Sequence, residues 1–537
     1  KDNKDIFYNK THIDPEIPEM VTVTFGIEAT DNGKGATRCF NWISKGYYDE
    51  YLWYRVVKVG TQEQPNNNWT KVESFKEETF TSRPVQDQYE IYNRQRVYST
   101  SGEAFTSHKY ILRGLTAGIG KPVEYEYKVG RENHQSPTYK FTVRNKTDCT
   151  EFSFIQTSDQ QGFNKDEYIV WQKTAEKIRQ WELEGNLGED DEKYNDNGKP
   201  EVKGFHFIMN TGDMTQNGNR LNEWLDYYNA GNESLFSEFE QMYIIGNNDL
   251  CPELYQGPEA LGDGEDASKI NGINFQFFYT YEIDPNNPPF VEDTAGKSYY
   301  IHSLYSFNYG NTHFLAVNSE ITGSASGTIG KLYNNADVYG YMKQWCEKDL
   351  NSIDRDDTPW IIAYCHEMPF TIITDSLITN WKGDPSKYTR GGSHLNTVGN
   401  NQYWFSQLLE NYGVQLCLGG HKHTYSCSRH IRENYKWNWT GEVVKNNLGQ
   451  IILQQGVDYS TENVYPWKYV KEGYITSEEI TKYVVPTEFK TMTPIVQILS
   501  TESSSFVDQN NSDMCHLEKL QQGQYYDSPL YVMCQAT

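Results

Sequence analysis

The sequence lacks several features that define common protein classes. It contains no run of about 18 apolar residues, so it predicts no membrane-spanning helix. Its cysteines form no Cys-x-x-Cys pair, which argues against the usual zinc and thiol-redox motifs. Residues 20–145 show no P-loop or dinucleotide-binding glycine pattern. The nine cysteines are odd in number, so at least one is free or bonded to another chain.

Basic residues are also scarce. The chain has 48 Lys and Arg against 73 Asp and Glu, a formal net charge of −25. A surface this acidic repels nucleic acid and anionic lipid, so we expect neither as a partner. It does not exclude a phosphorylated substrate, because bound metal ions reverse the potential locally.

The sequence is rich in aromatic residues and long enough for several domains. Aromatic residues make up 15%, with 41 Tyr, whereas a disordered chain is poor in them. A length of 537 residues corresponds to roughly two to four domains. If the source is eukaryotic, six Asn-x-Ser/Thr sites favour a secreted or extracytoplasmic location. These sites are at Asn9, Asn68, Asn145, Asn232, Asn438 and Asn510.

The pattern of apolar residues divides the chain into an all-β part and an α/β part. Short β-branched and aromatic runs predict a β-sandwich over 20–146, after an N-terminal extension at 1–19. Strands and helices then alternate over 147–430, which predicts a layered α/β domain. Residues 431–525 are polar, Tyr-rich and read as an insertion, and 526–537 hold a last strand. Strands are predicted at 151–159, 204–213, 241–249, 359–367 and 414–423, and helices at 166–183, 221–229, 338–352 and 401–412.

Polar side chains able to bind metal stand where the predicted α/β strands end. Ligands collect outside the carboxyl ends of strands in layered α/β folds, so we expect these residues to converge. Carboxylate, amide and imidazole together suit Zn, Mn or Fe, and so many ligands suggest two ions that share one carboxylate. Taken singly, each also fits a helix cap, a turn or a buried histidine. The residues are Asp159, Asp213, Asn247, His366, His421 and His423.

This ordered series resembles the signature of the calcineurin-like metallophosphoesterases, and purple acid phosphatases in particular. A hairpin that ends in Asn318-Ser319-Glu320 and the all-β part of the chain are also similar to that family. The resemblance implies a two-layer β-sandwich flanked by helices, preceded by a fibronectin type III-like domain. The matching blocks are Asp159-Gln160-Gln161, Gly212-Asp213, Gly246-Asn247-Asn248-Asp249, His366 and Gly420-His421-Lys422-His423.

The resemblance also implies a role for each residue of the blocks. Asp213 would bridge two divalent or trivalent ions of Fe, Zn or Mn. Asp159 and His423 would hold the first ion, with Gln161 as a neutral ligand. Asn247, His366 and His421 would hold the second. A hydroxide bound to the metal pair would then attack phosphorus directly.

Three positions depart from the family pattern. Gln161 replaces a histidine ligand, which predicts looser binding of the first ion. Gln216 replaces a tyrosine ligand, so we expect no purple colour. Asn248 replaces the histidine that contacts phosphate and assists proton transfer. An Asn can bond a phosphate oxygen but cannot donate a proton, and general acid catalysis contributes roughly 10²- to 10⁴-fold.

Two residues in a Gly-rich loop could compensate for these losses. His394 is the candidate substitute for proton transfer and phosphate binding, and Arg390 is a candidate bidentate phosphate ligand. The alternative for both is an ordinary exposed loop side chain. Cys365 alternates away from His366 along its strand, which predicts a core position.

Three classes of function stay open at this point. The leading hypothesis is hydrolysis of a small phosphomonoester, with a phosphodiester as the nearest alternative. The second is a binding protein on a catalytically impaired metallophosphoesterase scaffold. The third is a Tyr-rich extracellular adhesin or glycan-binding protein that uses residues 431–525. Metal content and turnover of an aryl phosphate separate these classes.

Overall fold

A computed structural model describes the all-β part and most of the α/β framework. The described residues are 17–65 (without 31–34 and 46–47), 68–81 (without 74), 89–90, 95–96, 104–162 (without 151), 165–184, 205–250 (without 217, 219–220 and 232), 278–320 (without 293–294 and 297), 338–367, 405, 408–409, 412–421, 426–427, 496–499 and 532–536.

The N-terminal part is built from strands that form two main sheets. One has the order β1-β2-β9-β6, and the other has the order β11-β10-β3-β4, with β12 on β10 and β5 on β3. The strands are β1 Glu19–Phe25, β2 Ala36–Lys45, β3 Tyr51–Val59, β4 Gln62–Glu63, β5 Thr70–Glu73, β6 Phe75–Thr81, β7 Tyr89–Glu90, β8 Gln95–Arg96, β9 Ala104–Leu115, β10 Val123–Arg131, β11 His134–Gln135 and β12 Tyr139–Val143.

Strand β10 shows why these residues form a sandwich. Its inward residues Val123, Tyr125, Tyr127 and Val129 are buried, and the residues between them are half-buried. Side chains alternate between the two faces of a strand, so this period of two covers one face with apolar groups. Those groups pack into a core that belongs to the N-terminal part.

The α/β part contains two further sheets. The first has the order β15-β14-β13-β24, and the second has the order β18-β19-β20-β21-β23-β22. The additional strands are β13 Phe152–Thr157, β14 Phe207–Asn210, β15 Glu240–Tyr243, β16 Phe290–Glu292, β17 Ser298–Tyr300, β18 Tyr305–Tyr309, β19 Thr312–Ala316, β20 Trp360–Glu367, β21 Leu416–Gly420, β22 Ser426–Cys427, β23 Val496–Leu499 and β24 Val532–Ala536.

Parallel pairing dominates the two α/β sheets. Strands β13, β14 and β15 run parallel, and so do β19, β20, β21 and β23. Every residue of β13 and β14 is buried, as expected for strands covered on both faces. Phe154 and Phe207 of the first sheet meet Phe314 of the second edge-to-face, at 5.6 and 5.4 Å between ring centroids.

Helices flank this pair of sheets. In α1, Trp171 stacks on Tyr227 of α2 at 5.4 Å between ring centroids. The layered α/β fold class is therefore confirmed. Within the described residues, no helix has the length and apolar character that a bilayer crossing requires. The helices are α1 Ile169–Glu184, α2 Leu221–Ala230, α3 Glu233–Glu238, α4 Asn247–Leu250 and α5 Val338–Asn351.

One predicted strand ends earlier than expected, and one observed strand was not predicted. The predicted strand 241–249 ends at Tyr243, and Asn247 begins the short helix α4. Ile244 and Ile245 are buried although they lie beyond the end of the strand. The apolar run in the sequence is therefore longer than the strand. Within the predicted insertion 431–525, strand β23 pairs parallel with β21. Its four residues are too short a signal to stand out from the polar sequence around them.

The N-terminal sandwich shares a core with the α/β part. The ring of Phe25 in β1 lies 5.2 Å from that of Phe207 and 5.0 Å from that of Tyr309, measured between centroids. Thr22 donates a hydrogen bond of 3.0 Å to the carbonyl oxygen of Phe278. These contacts tie the sandwich to the sheet that carries the candidate site.

Buried tyrosines form a polar network in the α/β core. The hydroxyls of Tyr281 and Tyr305 donate to the carbonyl oxygen of Tyr243 at 2.7 and 2.9 Å. The hydroxyl of Tyr364 donates to that of Tyr305 at 2.7 Å. A buried hydroxyl is tolerated when it finds such a partner, so part of the tyrosine excess serves the interior.

Candidate metal centre

The candidate metal-binding side chains lie at one edge of the two α/β sheets. Asp159 and Asp213 follow β13 and β14, and Asn247 follows β15 after a short turn. His366 lies near the end of β20, and His421 directly follows β21. Because β13, β14 and β15 run parallel to one another and β20 runs parallel to β21, the carboxyl ends of these strands lie at the same edge of their sheet.

Three of these positions have left-handed backbone conformations although none is glycine. The φ angles of Asp159, Asp213 and His421 are 56°, 55° and 75°. Such conformations cost on the order of 1–3 kcal/mol each and persist where the surrounding structure enforces them. Each of the three lies within three residues of the end of its strand, at β13, β14 and β21.

His366 is held by both ring nitrogens. Its Nδ1 lies 2.7 Å from the carbonyl oxygen of Thr211, which can only accept a hydrogen bond. Its Nε2 faces Oδ1 of Asn247 at 3.0 Å and Oδ2 of Asp213 at 3.3 Å. With the Nδ1 proton donated to a backbone carbonyl, Nε2 is the atom presented to a metal, the arrangement common for histidine ligands.

The surroundings of the His366 ring stabilise positive charge. Burial lowers the pKa of His366, but Asp213, Asp159 and Glu320 together outweigh burial and raise that pKa well above its ordinary value. Burial raises the pKa of Asp213, but His366, His421 and the hydrogen bond from Asn248 together outweigh burial and lower that pKa to about 2. A buried site that favours an imidazolium next to a carboxylate also suits a metal cation.

His421 completes a compact donor set. Its Nδ1 lies 2.9 Å from Oδ1 of Asn247, and its backbone N–H donates to both carboxylate oxygens of Asp159 at 2.9 and 3.0 Å. One ligand atom from each of Asp213, His366 and His421 lies within 4.8 Å of the others. A carboxylate and two imidazoles at this spacing fit a transition-metal ion.

Asn248 and Gln216, two departures from the family pattern, contact each other. The backbone N–H of Asn248 donates to Oδ1 of Asp213 at 2.8 Å, and its side-chain amide donates to Oδ2 at 2.7 Å. The side-chain amide of Gln216 donates to Oδ1 of Asn248 at 3.0 Å. Asn248 therefore clamps the Asp213 carboxylate and is itself held by Gln216.

Asp249 is a buried supporting residue for which the family resemblance implies no role of its own. One carboxylate oxygen accepts from the backbone N–H groups of Met214 and Thr215, at 3.0 and 2.9 Å, and the other accepts from that of Gly246 at 3.0 Å. It thus ties the loop after β14 to the loop after β15. In the sequence, the feature that could have drawn attention to Asp249 is its position as the last residue of the Gly246-Asn247-Asn248-Asp249 block.

Two further buried carboxylates adjoin the site. Glu320 accepts a hydrogen bond of 2.7 Å from the hydroxyl of Ser319, and burial raises its pKa to about 7. The backbone N–H of Glu367 donates to the same hydroxyl oxygen at 2.8 Å. Glu320 belongs to the hairpin used for the resemblance, whereas no sequence pattern pointed to Glu367.

The structure describes only part of the predicted set. Gln161 is buried beside the site, and its backbone N–H donates to the carbonyl oxygen of Asp213 at 3.0 Å. Cys365 is fully buried, as predicted. The metal-binding role of the set stays a prediction. His423, His394 and Arg390 lie outside the described residues.

Comparison with known proteins identifies the family. The model of the calcineurin-like phosphoesterase family matches residues 154–425, about half of the 537 residues. The chain therefore belongs to this family.

Individual relatives match smaller parts of the chain. Purple acid phosphatase 15 of Arabidopsis thaliana is 27% identical over 218 residues, which cover 41% of this chain and 30% of that protein. An acid phosphatase of Aspergillus ficuum is 25% identical over 171 residues, which cover 27% of this chain and 24% of that protein. The chain thus spans less than a third of the length of these curated relatives.

Among solved structures, purple acid phosphatase PPD1 from yellow lupin (Lupinus luteus) seeds aligns with a TM-score of 0.48. Its sequence identity is 15%, and the alignment covers 80% of this chain and 64% of that one.

Proposed function

We propose that this chain is a metal-dependent hydrolase of phosphate esters, with small phosphomonoesters as its substrates. The observation that carries the proposal is the convergence of Asp213, His366 and His421 within 4.8 Å at one sheet edge. Asn247 supports it, because its Oδ1 faces Nε2 of His366 and Nδ1 of His421 at 3.0 and 2.9 Å.

The donor set fits two metal ions that share Asp213. Asn247, His366 and His421 would hold one ion. Asp159, Gln161 and His423 would hold the other, and Gln161 would be its weakest ligand because an amide is neutral. The chemistry of the donors suits Zn, Mn or Fe. When bound, the ions supply charge neutralisation for phosphate and activation of water as a nucleophile.

The chain's own residues then orient the reaction. Asn248 holds the Asp213 carboxylate in place through two hydrogen bonds of 2.8 and 2.7 Å. Because Asn248 cannot give up a proton, the leaving group must take its proton from another residue or from water. We assign that role to His394, and phosphate binding to Arg390 and Asn248.

The remaining predictions belong to the same proposal. The fibronectin type III-like domain would occupy residues 20–146 and the catalytic domain 147–430. The pairing of β24 with β13 supports a last catalytic strand within 526–537. The described strands of 20–146, all antiparallel, support the sandwich. A secreted or extracytoplasmic location would agree with the Asn-x-Ser/Thr sequences other than that of Asn145. Asn145 is buried, and its side-chain amide donates to the carbonyl oxygen of Ala117 at 3.1 Å, so it cannot carry a glycan.

Elemental analysis and turnover of 4-nitrophenyl phosphate test this function. We expect two metal ions per chain and hydrolysis that Asp213→Ala abolishes, because that variant removes the shared carboxylate. Asp356→Ala, at an exposed position in a turn, is the matched control and should keep both properties. A wild-type chain that binds no metal would contradict the proposal. So would an Asp213→Ala variant that hydrolyses the ester as fast as the wild type.

A second candidate function is a catalytically impaired scaffold. The contact between Gln216 and Asn248 favours it, because both replace residues that the family uses at the site. This reading predicts full metal loading without turnover of aryl monoesters or of bis(4-nitrophenyl) phosphate. Preferential turnover of the bis-ester would instead identify a phosphodiesterase.

A further inference from the structure

Strand β20 contains an irregularity next to the site. Its register with β21 passes from Tyr364 opposite Leu418 to Glu367 opposite Gly420. Three steps on β20 therefore match two steps on β21, which is the signature of a β-bulge. Bulges re-aim side chains, and they occur frequently beside active sites.

The bulge brings two consecutive side chains to the same cluster. In a regular strand, neighbouring residues point to opposite faces. Here Nε2 of His366 lies 3.0 Å from Oδ1 of Asn247, while Oε1 of Glu367 lies 3.6 Å from Nε2 of His421. Both side chains thus face the candidate metal centre: His366 lies next to Asn247, and Glu367 lies next to His421.

The two nitrogens of His421 have different surroundings. Nδ1 lies 2.9 Å from Oδ1 of Asn247, the same oxygen that lies 3.0 Å from Nε2 of His366. The atom that the structure places beside Nε2 is Oε1 of Glu367, at 3.6 Å. The Glu367 side chain is only 4% exposed, and its backbone N–H is anchored on the Ser319 hydroxyl at 2.8 Å. At 3.6 Å the carboxylate is just beyond hydrogen-bond distance, and its negative charge favours the proton on Nε2 rather than on Nδ1.

From this geometry we propose that Glu367 is a positioning residue that holds His421 in the tautomer with Nδ1 free to bind metal. The inference rests on the proposed function, because it presupposes a metal at Nδ1 of His421. A carboxylate behind a histidine ligand fixes the ring orientation and makes the ligand nitrogen more basic. Loss of such a partner typically weakens metal affinity by roughly 10- to 100-fold.

Zinc titration of the metal-free protein, in competition with a chromophoric chelator, tests the proposal. We expect Glu367→Ala to weaken one class of Zn²⁺ site by about 10- to 100-fold. Glu367→Gln keeps the shape of the side chain but removes its charge, so it should lose part of that affinity. This variant keeps the test valid if Glu367→Ala does not fold. Glu292→Gln, at an exposed position in β16, is the matched control and should bind zinc like the wild type.

A double-mutant cycle shows whether Glu367 acts through His421. If it does, Glu367→Ala should cause little further loss of zinc affinity once His421→Ala is present. An equal loss in both backgrounds would overturn the proposal and make Glu367 an independent ligand.

The remaining outcomes separate this inference from the proposed function. Wild-type zinc affinity in both Glu367 variants would overturn the inference alone. A wild-type protein that binds no zinc would overturn the inference and the metal-dependent function together.

Discussion

Arg38 of the N-terminal sandwich donates a hydrogen bond of 2.6 Å from Nε to the carboxylate of Glu240, the first residue of β15. Its Nη2 donates to Glu28 at 2.7 Å, and all three side chains are buried. Since β15 leads to Asn247, this ion triad joins the sandwich to the strand that positions a candidate ligand.

We predict that Arg38→Ala destabilises the protein strongly. Removal of the guanidinium takes away the hydrogen-bonded cation of two buried carboxylates and leaves them only the weaker attraction of Arg144. A broken buried pair costs about 3–5 kcal/mol. The half-exposed pair of Arg55 and Glu126 is the matched control. Arg55→Ala should cost no more than about 1 kcal/mol. Urea unfolding measures both free energies, and similar values for the two variants would contradict the prediction.

Gly246→Ala should damage the site through Asp213. A Cβ at residue 246 would overlap Oδ1 and the backbone nitrogen of Asp213. The displaced carboxylate should bind metal weakly, and the overpacking should destabilise the fold by about 1–3 kcal/mol. A Cβ at residue 118 would have the Cβ of Lys121 as its nearest neighbour, at 3.9 Å, which is an ordinary contact. Gly118→Ala is therefore the control. Metal content and urea unfolding should change only in the first variant.

Asn248→His should give the leaving group a second proton donor in addition to His394. An alkyl alcohol leaves poorly without a proton, whereas 4-nitrophenolate leaves readily. General acid catalysis contributes roughly 10²- to 10⁴-fold, so kcat/KM for an alkyl phosphate should rise at least about tenfold. The value for 4-nitrophenyl phosphate should change much less. An equal change for both esters would show that the histidine acts by another route.

The stability of the fold should fall as the pH drops below about 6.5, in part because of His206. Burial lowers the pKa of His206 to about 3, and Arg144 adds to the effect. The unfolded chain therefore binds a proton that the folded chain excludes between about pH 6.5 and 3. Each pH unit of acidification in that window removes up to about 1.4 kcal/mol of stability. In His206→Gln this decline, followed by urea unfolding, should be shallower, and an unchanged slope would refute the assignment.

Some elements could be predicted closely because their signals are local. The helix predicted at 166–183 is found at Ile169–Glu184, and the one predicted at 338–352 is found at Val338–Asn351. The apolar period along each segment reports the face that is buried, so one segment suffices to read it. Strand β23 was missed because four residues carry no readable period.

Other features depend on contacts between distant residues and have no local signal. Asn248 appeared only as a weakened phosphate contact, yet in the structure its amide holds Asp213. Its partner Gln216 lies 32 residues away in sequence. Glu367 follows a candidate ligand in a strand, where alternation would direct it to the opposite face.

By itself, the sequence determined the order of the candidate ligands, the type of each donor atom and the change from an all-β to a layered α/β architecture. These properties depend on residue identity and on spacing along one segment. The tertiary structure alone decided which nitrogen of His366 and of His421 faces the site, and which carboxylate lies behind His421. Those outcomes depend on strand register, and a single extra residue in β20 changes which face a side chain occupies.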